Sequence, residues 1–346
     1  MTAALFAKKI LSRAAHSLGF SYKKLEGAGK DAFLILMYHR VVDHPVARTL
    51  GQEGMYVAKE TFDLHMRFLK SRFRVIPLEQ GFEFLEQKNN VSVANKKPLC
   101  AITFDDGWRD VYENAYPLLA RHELPATVFL PTGYIGTGKK FWPDRLAFLI
   151  NKGASKVFKA SLPALRETDF HMPRLPESAS APEFHVVVNA MKQLREDDID
   201  KILDAMEQRC GMYSMSEERA FLDWEEVREM HASSLVQFGS HTETHRILTT
   251  LSDDEIINEL DISKKRLLDA GVAKPEAVAF AYPNGNHTDR IASMVRDAGY
   301  RLAVTTEKGW SRAGVGYNPF RLKRIGIHED ITSIDAMFCC RMAEIF

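Results

Sequence analysis

Cysteine is scarce in this sequence and unpaired in its spacing. Four occur in 346 residues, at Cys100, Cys210, Cys339 and Cys340, and none forms a C-x-x-C pair. A thiolate zinc site and a disulfide framework are therefore not expected, and a reducing compartment is the natural fit. An excess of either charge is also missing, since 46 basic residues face 46 acidic ones. Without a basic surplus no nucleic-acid partner is expected. No apolar run approaches the length of a membrane span. The opening segment, MTAALFAKKILSRAAHSLGF, has no uninterrupted apolar core of the kind a secretory signal needs, because Lys8, Lys9 and Arg13 interrupt it. There is no internal repeat and no low-complexity tract.

What is present is ordinary globular material, 45% hydrophobic and 27% charged. The length suits one large domain, or one domain with a sizeable insertion. At helical spacing Leu5, Phe6, Ile10, Leu11, Ala14 and Leu18 share one side of the first twenty residues. This reads either as a helix packed on the domain or as a basic amphipathic helix on a membrane surface.

Short apolar runs at Phe33–Met37, Leu99–Phe104, Ala126–Leu130, Val236–Gly239 and Val278–Ala281, with a weaker one at Leu302–Thr305, read as buried strands. Helical faces lie between them: Phe62, Met66, Leu69 and Phe73; Ile256, Leu260 and Leu267; Ile291, Met294, Val295 and Ala298. Alternating strands and helices imply an α/β fold with a parallel sheet, and six or more units would suit a barrel with its chemistry at the strands' C-terminal ends. Residues of about 139–220 break the rhythm and read as a largely helical insertion with a mobile middle around PRLPESASAPEF. The expected organisation is a helical extension over 1–30, the main domain over 31–330 and a C-terminal helix over 331–346.

Three segments carry candidate chemistry. In CAITFDDGW an apolar strand runs into Asp105, Asp106 and Gly107. Two adjacent carboxylates at a strand end repel unless a cation sits there, although Asp-Gly also suits a plain solvated turn. In FGSHTETH, His241 and His245 stand four apart after a strand; on a helical turn this places both imidazoles on one face. Two imidazoles plus Asp106 make a facial set with positions open for water and substrate, leaving Asp105 as a base. In AFAYPNGNH a strand ends at Tyr282-Pro283, and the backbone N–H of Asn284 is either an oxyanion donor or part of a simple turn.

The ordered set TFDDG, SHTETH and YPNG resembles the polysaccharide deacetylase (NodB-homology) group, carbohydrate esterase family 4, over roughly residues 30–330 without most of the insertion. The resemblance implies a distorted (β/α) barrel and hydrolysis of an N-acetyl amide on a sugar. By motif position it makes Asp105 the base and Asp106, His241 and His245 the metal ligands. Two features depart from it. The family's third motif carries an Arg that orients the catalytic Asp, but that slot here is Ala281, and Arg324 in RLKRIGIHED is the expected substitute. Many members also place an acid His near the C-terminus. Here FLILMYHRV ends at Tyr38-His39, resembling a rearranged subgroup that includes biofilm poly-N-acetylglucosamine deacetylases. His39 is thus the preferred general acid and His328, after RIGI, its competitor. Tyr38, Tyr282, Pro283, Trp108 and Arg324 are candidate substrate contacts.

The expected activity is N-deacetylation of a surface polysaccharide, or of its lipid- or nucleotide-linked precursor, with one divalent ion. Zinc comes first for that ion; cobalt, nickel, iron and manganese suit the same donors. The expected location is cytoplasmic, with peripheral membrane contact through residues 1–20 as the further expectation. The alternatives are removal of another N-acyl group, such as formyl from a lipid-linked amino sugar, and a carbohydrate-binding protein without catalysis, favoured only by Ala281.

Overall fold

A computed structural model describes residues 3–28, 32–43, 54–87, 97–154, 174–179, 183–211, 219–314 and 316–345. Seven parallel strands close on themselves: β1 (Ala32–Tyr38), β2 (Leu99–Phe104), β3 (Ala126–Leu130), β4 (Val236–Ser240), β5 (Ala279–Ala281), β6 (Leu302–Lys308) and β7 (Leu322–Gly326). Each pairs with the next, except that β7 pairs with both β6 and β1, and β1 returns to β2 to complete the barrel. The six expected apolar runs all form barrel strands. The seventh, β7, is poorly marked in the sequence because LKRIG carries two cations; Lys323 points out, whereas Arg324 is wholly buried.

Inward-facing Phe33, Ile35, Ala101, Phe129 and Ala281 share one apolar cluster with Phe82 of the helix Leu78–Glu86. The interior is tight: a Cβ on Gly239 of β4 would stand 2.7 Å from the Phe129 ring, so only glycine fits there. Helices cover the outside through the expected faces. Phe62, Met66 and Leu69 are buried on Lys59–Arg72, and Ile256, Leu260 and Leu267 on α3 (Asp253–Asp269). Ser252 caps α3 in a reciprocal pair with Glu255, satisfying N–H groups that the first turn leaves open.

Two N-terminal helices, α1 (Ala3–Ser17) and α2 (Phe20–Ala28), pack against the C-terminal helix α4 (Asp335–Met342). The Cys340 thiol faces the Ser12 carbonyl at 3.9 Å, and the Tyr22 ring stacks on Phe68.

The chain divides into two compact units. The barrel with its terminal helices is one; the described residues between 137 and 220 form the other. Within the second unit the helices Trp142–Asn151, Glu183–Met191 and Glu196–Cys210 share an apolar core that includes Leu146, Phe184, Val187 and Leu203. Arg145 ties two of these helices through Asp200, Asp204 and Glu207. Part of the PRLPESASAPEF stretch lies outside the described residues; of the remainder, Leu175 and Ala179 join this core.

Candidate active site

The strand ends converge at one end of the barrel, as parallel strands require. At the end of β2 the Asp105 N–H donates to the Tyr38 carbonyl of β1. The next two residues then take left-handed backbone, Asp106 at φ 74° and Gly107 at φ 62°. Asp tolerates this region better than most residues. A Cβ on Gly107 would also lie 2.8 Å from Leu130. The turn directs the two carboxylates to different partners.

Asp105 is buried and faces Arg324. The guanidinium Nη1 and Nη2 donate to Oδ1 and Oδ2, each at 2.7 Å, while Nε donates to the Thr305 carbonyl and Nη1 also reaches Thr103 Oγ1. Burial works to raise the Asp105 pKa. The charge of Arg324, then that of His241, the Arg324 hydrogen bonds and His39 outweigh burial and hold the carboxyl below its ordinary range. Arg324 thus stands where the missing Arg at position 281 left a need.

Asp106 faces the two histidines. Its Oδ2 accepts from the Trp108 indole N–H at 3.0 Å, leaving Oδ1 3.5 Å from His241 Nε2 and 3.3 Å from His245 Nε2. Burial again opposes ionisation, but the hydrogen bond and charge of His245, with His39 and His241, bring the carboxyl well below its usual value. His241 Nδ1 lies 2.7 Å from the Ala281 carbonyl. A carbonyl only accepts, so Nδ1 carries the proton and the Nε2 lone pair faces Asp106. Burial pushes the His241 pKa down to about 4, against the pull of Asp105 and Asp106, so the ring is neutral near pH 7.

The histidines do not share a helical turn, contrary to the spacing argument. Thr242 and His245 both have left-handed backbone, at φ 65° and 62°, and no helix covers the segment between them. A different device bends the chain. Ser240 Oγ accepts from the Thr242 N–H, and Thr242 Oγ1 from the His245 N–H. Glu259, on α3, accepts from the N–H groups of Glu243 and Thr244 at 2.9 and 2.8 Å and from the Thr244 hydroxyl. The rings end with centroids 4.9 Å apart. Glu259 escaped the sequence reading, although a carboxylate among Ile256, Leu260 and Ser263 on the buried stripe of α3 was a visible signal.

The ligand atoms of Asp106, His241 and His245 all lie within 4.8 Å of one another. Donors held about 2.0–2.1 Å from one ion at tetrahedral or octahedral angles stand roughly 2.8–3.4 Å apart. The carboxylate–imidazole separations of 3.3 and 3.5 Å therefore suit a divalent cation.

His39 follows β1, is half-buried, and its charge acts on both Asp105 and Asp106. His328 follows β7 and instead engages the Asp330 carboxylate. Asn284 sits exposed at φ 56° in the turn after β5, its side chain donating to Asn286 Oδ1.

The candidate substrate contacts need revision. Tyr38 is fully buried, bonded to His65 and packed on Phe62 and Phe104; Tyr282 is buried with its hydroxyl on the Phe320 carbonyl; Pro283 is buried beside it. Arg324 is sealed beneath Asp105. Trp108 stacks on Phe221, with the Arg40 guanidinium 4.3 Å over its ring, and Asp110 anchors Arg40 at 2.7 Å. These side chains have their surfaces taken up by protein.

A family model described as polysaccharide deacetylase matches residues 92–155 and 182–303, more than half of the chain. The chain belongs to the polysaccharide deacetylase family. A Bacillus subtilis relative assigned to these deacetylases, YxkH, is 29% identical over 126 residues, covering 35% of this chain and 39% of that one. The poly-beta-1,6-N-acetyl-D-glucosamine N-deacetylase of Staphylococcus aureus is 32% identical over 80 residues, 23% of this chain and 26% of that one. The chain thus spans well under half the length of these relatives. Several solved structures share its fold. The Streptococcus pyogenes deacetylase PplD, in complex with acetate, matches with TM-score 0.55 and 21% identity over 87% of this chain and 95% of that one. IcaB from Ammonifex degensii matches with TM-score 0.56 and 18% identity over 89% and 97%. The architecture is the distorted (β/α) barrel of this family.

Proposed function

We propose that this protein is a metal-dependent N-deacetylase acting on a polysaccharide of N-acetylated amino sugars. The observation that carries the reading is the pairing of Asp105 with Arg324 directly beside the Asp106, His241 and His245 cluster. One carboxylate is held ionised with no call on it as a ligand, while its neighbour completes a ligand set. The relative that acts on poly-beta-1,6-N-acetyl-D-glucosamine supports a β-linked N-acetylglucosamine polymer as the substrate.

Asp106, His241 and His245 would hold the ion, which when bound supplies Lewis acidity toward the acetyl carbonyl and the attacking water; zinc, cobalt, nickel, iron and manganese all suit the donors. Asp105, below its usual pKa, accepts the proton that water gives up as its oxygen bonds to the carbonyl carbon. Arg324 orients that carboxylate through both oxygens. The Asn284 backbone N–H serves the developing oxyanion. His39 gives a proton to the sugar nitrogen as the C–N bond breaks, and acetate and a free amine leave.

A carbohydrate-binding protein without catalysis was favoured only by Ala281, and Arg324 removes that ground. The test is acetate release from β-1,6-linked N-acetylglucosamine oligomers by metal-loaded protein, with formate measured in parallel on an N-formylated sugar. Acetate release that disappears on chelation supports the reading; formate release alone, or no release with metal bound, rejects it.

A further inference from the structure

The first acidic residue of the chain is Glu26; before it stand Lys8, Lys9, Arg13, Lys23 and Lys24. A chain with no net charge thus opens on a wholly cationic stretch. At 100° per residue Ala7, Ile10, Leu11 and Ala14 of α1 fall on one side, Ser12 lies opposite, and Lys8 and Arg13 lie at the two margins. Burial follows this division. Ser12 is buried toward α4, with its carbonyl on Cys340, whereas Ala7, Ile10, Leu11 and Ala14 are exposed. The helix is therefore docked by its small polar side and presents its apolar side outward, the reverse of the usual arrangement on a globular domain.

The apolar side continues past the helix. Ile10 is 52% exposed, Leu11 57%, Leu18 80% and Phe20 57%; among the described residues these are four of only seven exposed large apolar side chains. Tertiary packing adds charge beside it. Lys8 borders a crevice with Ser12, Met337 and Arg341, and Lys24 reaches the Glu344 carbonyl. Lys308 of β6 lies close enough that Arg341, Lys8 and Lys24 add to burial in lowering its pKa, against Glu344. An apolar ridge ringed by cations matches a surface that is apolar inside and anionic at its rim.

We propose that α1 and the start of α2 dock on a lipid bilayer that carries anionic headgroups. Ile10, Leu11, Leu18 and Phe20 enter the acyl boundary. Lys8, Arg13 and Lys23 meet the headgroups, their stems lying along the interface. The contact is peripheral, since no described helix is long and apolar enough to cross a membrane. It is independent of the catalytic reading, because none of these residues belongs to the site.

The test is co-sedimentation of the full chain with vesicles of phosphatidylcholine alone and of phosphatidylcholine with phosphatidylglycerol. Binding to the anionic vesicles is expected, weakened in about 1 M salt, where the screening length falls to about 3 Å. The double variant Leu11→Glu/Leu18→Glu changes only exposed positions, so it should melt as the wild type does and lose about tenfold or more in partitioning. Equal binding to both vesicle types, or an unchanged double variant, overturns the proposal. If no vesicle binds, and the double variant alters the sedimentation coefficient of the protein alone, the face joins two copies of the chain and the lipid assignment is wrong.

Discussion

Arg324 and Asp105 meet through two separate 2.7 Å contacts, Nη1 to Oδ1 and Nη2 to Oδ2, with both side chains buried. They stand 219 residues apart in the chain, on β7 and after β2. Removing the guanidinium would leave a carboxylate in a low-dielectric interior without a partner. Arg324→Met should therefore destabilise the fold by about 3–5 kcal/mol in denaturant unfolding. Arg324→Lys keeps the charge but loses the fork. It should fold and lose roughly tenfold to a hundredfold in kcat. Because Arg324 holds the Asp105 pKa down, its weakening raises that pKa, and the acid limb of the kcat profile should move to higher pH. An unmoved limb would separate Arg324 from the base.

The acid and the base can be told apart by variants that keep the ion. Asp105→Asn should retain metal and stop turnover, since an amide cannot take the proton of water. His39→Ala should also retain metal and lose roughly a hundredfold in kcat. His328→Ala should lose much less, because that ring engages Asp330 and not the two site carboxylates. Normal turnover by His39→Ala with a dead His328→Ala would place the acid after β7.

Metal retention itself tests the loop that carries His245. His241→Ala should abolish stoichiometric binding, read by elemental analysis after dialysis. Glu259→Ala touches no ligand atom, yet it frees the Glu243 and Thr244 N–H groups that hold the left-handed turn. Metal affinity should fall roughly 10–100-fold, the usual scale for a residue that orients ligands. Wild-type affinity in a competition titration would show that the loop holds its shape without Glu259.

Acid stability should depend on His65, which has no part in the proposed chemistry. The ring is fully buried, donates from Nε2 to the Thr332 carbonyl, accepts at Nδ1 from the Tyr38 hydroxyl and stacks on Phe338. Burial pushes its pKa down to about 3. Between about pH 6.5 and that value the unfolded chain binds a proton that the folded one refuses, so stability falls with pH by up to about 1.4 kcal/mol per unit. His65→Gln keeps a donor and an acceptor without titrating, and its unfolding free energy should decline less steeply from pH 6.5 to pH 4. His241, pushed down to about 4, contributes with the same sign in both metal-free proteins, so their difference isolates His65. Parallel curves would refute the assignment.

The barrel and the clustering of the candidate groups were legible in the sequence for a local reason. Runs such as Leu99–Phe104 and Ala126–Leu130 are buried on both faces, so they are apolar throughout and stand out from their neighbours. Asp105, Asp106 and His241 follow such runs directly, and parallel strands bring such residues to one end. What required the folded chain was every contact made across the barrel. Arg324 could be guessed but not placed, since its meaning depends on which strand closes against β1. The convergence of His241 and His245 looked helical by spacing, and comes instead from backbone strain held by Glu259 on another element. Tyr38 and Tyr282 looked like sugar contacts beside the motifs, yet strand alternation turns both into the packing. The outward apolar side of α1 has the same origin. The residue pattern showed an amphipathic helix, but which side meets the protein depended on α4, more than three hundred residues later in the chain.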